Sequence, residues 1–261
     1  MKSYLRNAWL IAKTIGIEAI RRKEIYAIVL VSLVLIGGLR LVKFFDVEGL
    51  GKFYREISLK VMNVATALTV ILLAARQLPR EFQNRTLYPL LAKPIRRDNF
   101  LMGKFLGVML AAAFCYAMFM AVFLFGSLTI KSPVNTGLFL QFVYLQLWNF
   151  AVLGGLAFLL SLLLNIDAAI TICILLYVFS QVLMTLMSYI YDYTSAWQQT
   201  FLLGLHFVIP QLSLFDLSGK VVHGIWPPIA SWAILALTAY GAVYTVLYLS
   251  GSYLLFRRRA L

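Results

Sequence analysis

Six long intervals of this 261-residue chain are nearly free of charge, and they restrict the fold more than any motif in it. A helix needs about 20 mostly apolar residues to cross the hydrocarbon core of a bilayer. The intervals run over 25–45, 57–75, 101–130, 138–164, 168–191 and 229–256, and most of the charge lies between them. Composition agrees, with 62% of residues apolar and 13% charged, against about half and about a quarter in soluble domains. So few charges cannot cover a water-exposed surface of this size, whereas a lipid-facing exterior removes the requirement. These features predict an all-α polytopic membrane protein with six transmembrane helices and exclude a soluble enzyme.

Polar residues inside the intervals, such as Asn63, Asn149 and Gln181, are tolerable where they face other helices. Arg40 and Lys43, near the end of the first interval, can reach the headgroups along their apolar stems. Residues 201–215 are also apolar, but Pro210 interrupts them. The unbroken part is too short to span and fits a short re-entrant helical segment in the last external loop, 192–228.

With six crossings, 16 of the 23 Lys and Arg residues fall on the side of the two termini. They form three groups: before the first span, between the second and third, and at the C-terminus. The positive-inside rule then places both termini in the cytoplasm, with the chain in the cell inner (plasma) membrane. A seventh crossing would carry Arg257, Arg258 and Arg259 outward, against that rule. Topology thus accounts for the net charge of +13, and no nucleic-acid partner is implied.

The N-terminus does not read as a cleavable signal, because Lys13, Glu18 and the charges at 21–24 interrupt its apolar run. At 100° per residue, Leu5, Ala8, Trp9, Ala12, Ile15, Gly16 and Ala19 fall on one half of a helix, and Arg6, Asn7, Lys13 and Glu18 on the other. Residues 1–24 are therefore expected to form an amphipathic helix lying on membrane lipid. Trp9, Lys13, Arg21, Arg22 and Lys23 are its interface contacts.

Groups able to do covalent or metal chemistry are sparse. The chain contains no nucleophile elbow, no H-E-x-x-H and no phosphate-binding P-loop. No catalytic, cofactor or metal site is expected. Cys115 and Cys173 lie inside apolar runs and read as packing residues, as do the scattered methionines. Asp167, in the turn between the fourth and fifth spans, is expected to cap a helix. Asp192, His206, Asp216 and His223 share the last external loop. They leave a minor reading as an intramembrane, lipid-modifying enzyme.

The stretch between the second and third spans is the most informative. Basic residues flank a short segment, 81–92, in which Phe82, Leu87, Leu90 and Leu91 offer apolar contacts before Pro94 ends any helix. Composition alone favours a solvated juxtamembrane loop, although apolar anchors on a short charged helix also suit docking into a groove of a soluble partner. The run Arg80-Glu81-Phe82-Gln83-Asn84-Arg85-Thr86-Leu87, then Leu90-Leu91-Ala92-Lys93-Pro94-Ile95-Arg96-Arg97 and Gly103-Lys104, resembles the first cytoplasmic loop of type-2 ATP-binding-cassette (ABC) exporter permeases. The basic start, six spans, long last external loop and Phe256-Arg257-Arg258-Arg259 end extend the resemblance over the chain. Within the family the pattern is most similar to the permeases of multicopper-enzyme maturation systems.

The resemblance implies one ABC exporter transmembrane domain over 1–261. Residues 1–24 would be its interfacial elbow helix and 76–100 its cytoplasmic coupling loop. Arg80, Glu81, Asn84, Thr86, Leu87, Leu90, Leu91, Pro94, Arg96 and Arg97 would contact a separate ABC ATPase subunit, which binds ATP and Mg while this chain binds no cofactor. Two permeases, as a homodimer or a heterodimer with a related chain, would pair with two ATPases. Arg85 and the pair Tyr88-Pro89 depart from the family pattern, and Pro89 splits or delays the coupling helix. The alternative is a stand-alone channel or secondary carrier, which requires charged groups facing a cavity within the membrane.

Overall fold

The computed structural model describes residues 47–83, 97–129, 135–190, 197–199, 210–223 and 226–258, together with 14, 26, 30, 34, 37 and 38. The fold is all-α; among the described residues there is no strand. Among the described residues six helices can be delimited, in chain order α1 (Val47–Gln83), α2 (Arg97–Thr129), α3 (Thr136–Leu163), α4 (Ile166–Ile190), the short α5 (Ser218–His223) and α6 (Ser231–Arg258). A 3-10 turn, Leu212–Phe215, precedes α5.

Four helices, α1, α2, α3 and α6, are long and apolar enough to cross a membrane, and α4 contributes a shorter apolar stretch over Ile166–Val182. The expected first span, 25–45, lies outside the described residues except for Tyr26, Leu30, Val34, Gly37 and Gly38, each of which is helical. The expected elbow helix likewise lies outside them, apart from Thr14.

The 37-residue α1 is much longer than the interval 57–75 that marks it in the sequence. Lys52, Arg55 and Glu56 before that interval, and Arg76 and Arg80 after it, limit the apolar run but are good helix formers. Charge marks where the lipid ends, not where the helix does. Pro79 sits in the penultimate turn, where a missing N–H costs one hydrogen bond and does not stop the helix. Asp167 is the second residue of α4, not its cap. Asn165 precedes the helix and its carbonyl accepts from the Ala169 N–H at 2.9 Å. The Asp167 carboxylate instead complements the positive end of the helix dipole.

Buried side chains concentrate on α1 and α3, while α2 and α6 leave most of their apolar surface outward. That arrangement, apolar on the outside as well as within, is expected where lipid replaces water. Several hydroxyls inside the bundle bond back to their own helices, as Thr66 does to the Met62 carbonyl and Thr245 to that of Gly241, at 2.9 and 2.7 Å. The most extensive packing joins α6 to α3. Gly155 permits it, because a Cβ there would meet the Tyr248 Cβ at 3.3 Å.

The C-terminal end of α1, the N-terminal end of α2, the α3–α4 turn and the C-terminal end of α6 share one end of the bundle, where Phe100 stacks on Phe256 at 6.2 Å. Arg76, Arg80, Arg97, Lys104, Arg257 and Arg258 all belong to this basic end. At the opposite end Phe123 stacks between Tyr54 and Phe139, with centroids 6.2 and 5.6 Å away.

Candidate functional site

At the basic end, α1 and α2 leave only 84–96 between them. Lys104, on the second turn of α2, is 5% exposed, and a buried ammonium is costly unless it finds partners. Its Nζ donates to Gln77 Oε1 on α1 at 3.2 Å and lies 5.4 Å from the centre of the Phe100 ring. Because Phe100 also stacks on Phe256, the contact binds α1, α2 and α6 together at the root of 84–96. Leu78 and Leu101 are buried there too.

Of the residues that the sequence marks for ATPase contact, Arg80 is exposed in the last turn of α1, Glu81 follows it in the same helix, and Arg97 begins α2. Asn84, Thr86, Leu87, Leu90, Leu91, Pro94 and Arg96 lie outside the described residues, as do the interface residues Trp9, Lys13, Arg21, Arg22 and Lys23. Sequence reasoning did not single out Gln77 or the Lys104–Phe100–Phe256 contact.

A second feature lies toward the other end. Between α1 and α4 is a cavity of about 360 Å³ whose polar wall is Lys60 and Asn63 of α1, Tyr177 and Gln181 of α4, and Asp216. Its apolar rim is Val64, Val178 and Val182. The i, i+3 spacing of Lys60 and Asn63 and the i, i+4 spacing of Tyr177 and Gln181 put each pair on one helix face, which is the signal that could have found them.

The segment bearing Asp216 is fastened in place. Ser180 Oγ accepts from the Leu212 N–H at 2.8 Å and donates to the Pro210 carbonyl at 3.3 Å, and the Gln211 N–H donates to the Tyr240 hydroxyl at 2.9 Å. Leu212 and Phe215 are buried, with Phe215 against Tyr240. Asp216 Oδ1 accepts from the Ser218 N–H at 2.9 Å and so steadies the start of α5. Of the loop residues read as a minor enzymatic cluster, His223 ends α5 and is exposed, while Asp192 and His206 lie outside the described residues. Among the described residues no group of three His, Cys, Asp or Glu side chains is placed to hold a metal ion.

Farther along the bundle from the basic end, the described helices pack closely through apolar side chains around Gly154. A Cβ on Gly154 would lie 3.4–3.9 Å from Phe105, Val70 and Met109, and Phe105 meets Phe158 edge-on at 6.1 Å. The family model for ABC-2 family transporter proteins matches residues 39–261. The chain belongs to the ABC-2 transporter family. Comparison with curated proteins returns no match. Family membership and the four long apolar helices make this ABC-2 transporter a multi-pass membrane protein and a component of membrane transport. In this ABC-2 chain the matched region includes both the braced root of 84–96 and the α1–α4 cavity.

Proposed function

We propose that the chain is the permease subunit of an ATP-driven exporter, working by alternating access with a separate ATPase that docks on the coupling loop 76–100, centred on its middle segment 84–96. The carrying observation is the Lys104–Gln77 hydrogen bond, which joins the two helices on either side of that segment in a chain of the ABC-2 family. Force applied to 84–96 then reaches α1 and α2 together, with α6 following through Phe256. Two discrete packings of such a bundle would open it alternately to each side.

Further parts of the reading rest on the sequence and the family. The first of six spans is 25–45, with the elbow helix over 1–24 before it. The gathering of Arg76, Arg80, Arg257 and Arg258 at one end supports a cytoplasmic basic end in the plasma membrane. The burial of Leu212 and Phe215 supports a re-entrant segment over 201–215 in the last external loop. Two copies, or one copy and a related permease, would complete the pathway.

The pair Lys60 and Asp216 on one cavity is the observation that favours a stand-alone channel or carrier. Purification separates the two readings. A tagged chain extracted mildly from its own membranes is expected to carry an ATP-hydrolysing subunit in equal amount. Solute movement by the chain alone in vesicles, without ATP, would favour the carrier instead.

A further inference from the structure

We infer that the cavity between α1 and α4 binds the headgroup of a phosphatidylethanolamine-type lipid, a phosphate joined to a primary ammonium, with the acyl chains lying over the valine rim. The inference rests on the permease reading and names the class of molecule this site takes.

Lys60 and Asp216 carry opposite charges on the same cavity wall and, among the described residues, do not pair with each other. A simple anion would satisfy Lys60 but be repelled by Asp216, and a simple cation would do the reverse. A ligand bearing both signs satisfies both. The donors and acceptors sharpen this. Asn63 is 4% exposed, and among the described residues its Oδ1 has no hydrogen-bond partner. A buried amide oxygen needs an N–H or O–H donor. A primary ammonium supplies three N–H groups, enough for Asn63 Oδ1 and the Asp216 carboxylate, whereas a quaternary ammonium supplies none. Lys60 Nζ, the Gln181 amide N–H and the Tyr177 hydroxyl are the donors for phosphate oxygens.

Size and surroundings point to a membrane source. At about 360 Å³ the cavity is near the small end of ligand sites, roughly 300–1,000 Å³, so it holds a headgroup but not its chains. Val64, Val178 and Val182 are 44%, 52% and 44% exposed. They continue into Leu175 and Phe179, which are also exposed at helical spacing on α4 and form an apolar track for the chains.

The test is lipid retention by the purified, delipidated full-length chain in detergent, read by native mass spectrometry against palmitoyl-oleoyl lipids with ethanolamine, choline or glycerol headgroups. The ethanolamine lipid is expected to be held about tenfold more tightly than the other two, the size of one charge-assisted hydrogen bond. Lys60→Met and Asp216→Asn should each remove that preference, and Asn63→Leu should abolish discrimination between ethanolamine and choline. Because Asp216 also supports α5, Lys60→Gln, on an exposed side chain, carries the test if Asp216→Asn fails to fold. Equal retention of the three lipids, or unchanged preference in folded variants, overturns the inference. Competition by free O-phosphoethanolamine as strong as that of the lipid overturns the lipid assignment and gives the site to a soluble zwitterion. The assay uses neither ATP nor a partner, so its failure leaves the permease reading standing, and failure of ATPase co-purification leaves this result standing.

Discussion

Leu90→Asp combined with Leu91→Asp is expected to leave the chain in the membrane but strip it of its ATPase. Both residues lie in 84–96, outside every apolar interval long enough to span, so insertion does not depend on them. In the docked state they would be desolvated anchors, and central anchors of this kind contribute about 2 kcal/mol or more each. Burying two carboxylates in their place adds a desolvation penalty. A combined loss of about 4 kcal/mol corresponds to roughly a thousandfold weaker association, enough to abolish co-purification. Membrane fractionation and ATP hydrolysis in the tagged eluate measure the two halves of this result. A double variant that retains stoichiometric ATPase refutes docking at 84–96.

A second large effect is expected far from that segment. Gly126 of α2 faces Tyr54 of α1, and a Cβ at position 126 would overlap the Tyr54 hydroxyl and ring. Tyr54 is 2% exposed and stacked on Phe123, which in turn stacks on Phe139, so its ring has no free direction in which to retreat. Overpacking in a filled core costs about 1–3 kcal/mol, and Gly126→Val should reach the upper part of that range. The expected result is a lower thermal midpoint of the purified protein and less folded protein recovered from membranes. Adding Tyr54→Leu to the same chain should restore more than half of both. Gly126→Val with the thermal midpoint of the unaltered protein would contradict this packing between α1 and α2.

The contrast between these two sites reflects what a sequence makes legible. The intervals 101–130, 138–164, 168–191 and 229–256 fall almost on α2, α3, α4 and α6, because freedom from charge is a property of each segment by itself. The ends of α1 were not legible for the same reason. Lys52, Arg55, Arg76 and Arg80 define a lipid boundary without breaking a helix. The Lys104–Gln77 contact joins residues 27 apart across 84–96, and the cavity joins three segments well over 100 residues apart from first to last. Their meeting depends on how each helix is rotated against its neighbours, which hydrophobicity along one strip of chain does not encode. Asp216 illustrates the loss. By sequence it belongs with His206 and His223, and in the fold it shares a cavity with Lys60 instead.

The central claim is that 84–96 faces the cytoplasm, where an ATPase can grip it and move α1 and α2. Labelling of Thr86→Cys by a membrane-impermeant maleimide tests this most directly. The native thiols Cys115 and Cys173 are buried and should contribute little background. The account predicts that position 86 is silent in intact cells and labels once detergent opens the membrane and strips off the ATPase that would cover it. Strong labelling in intact cells would place the segment on the outside and contradict the account.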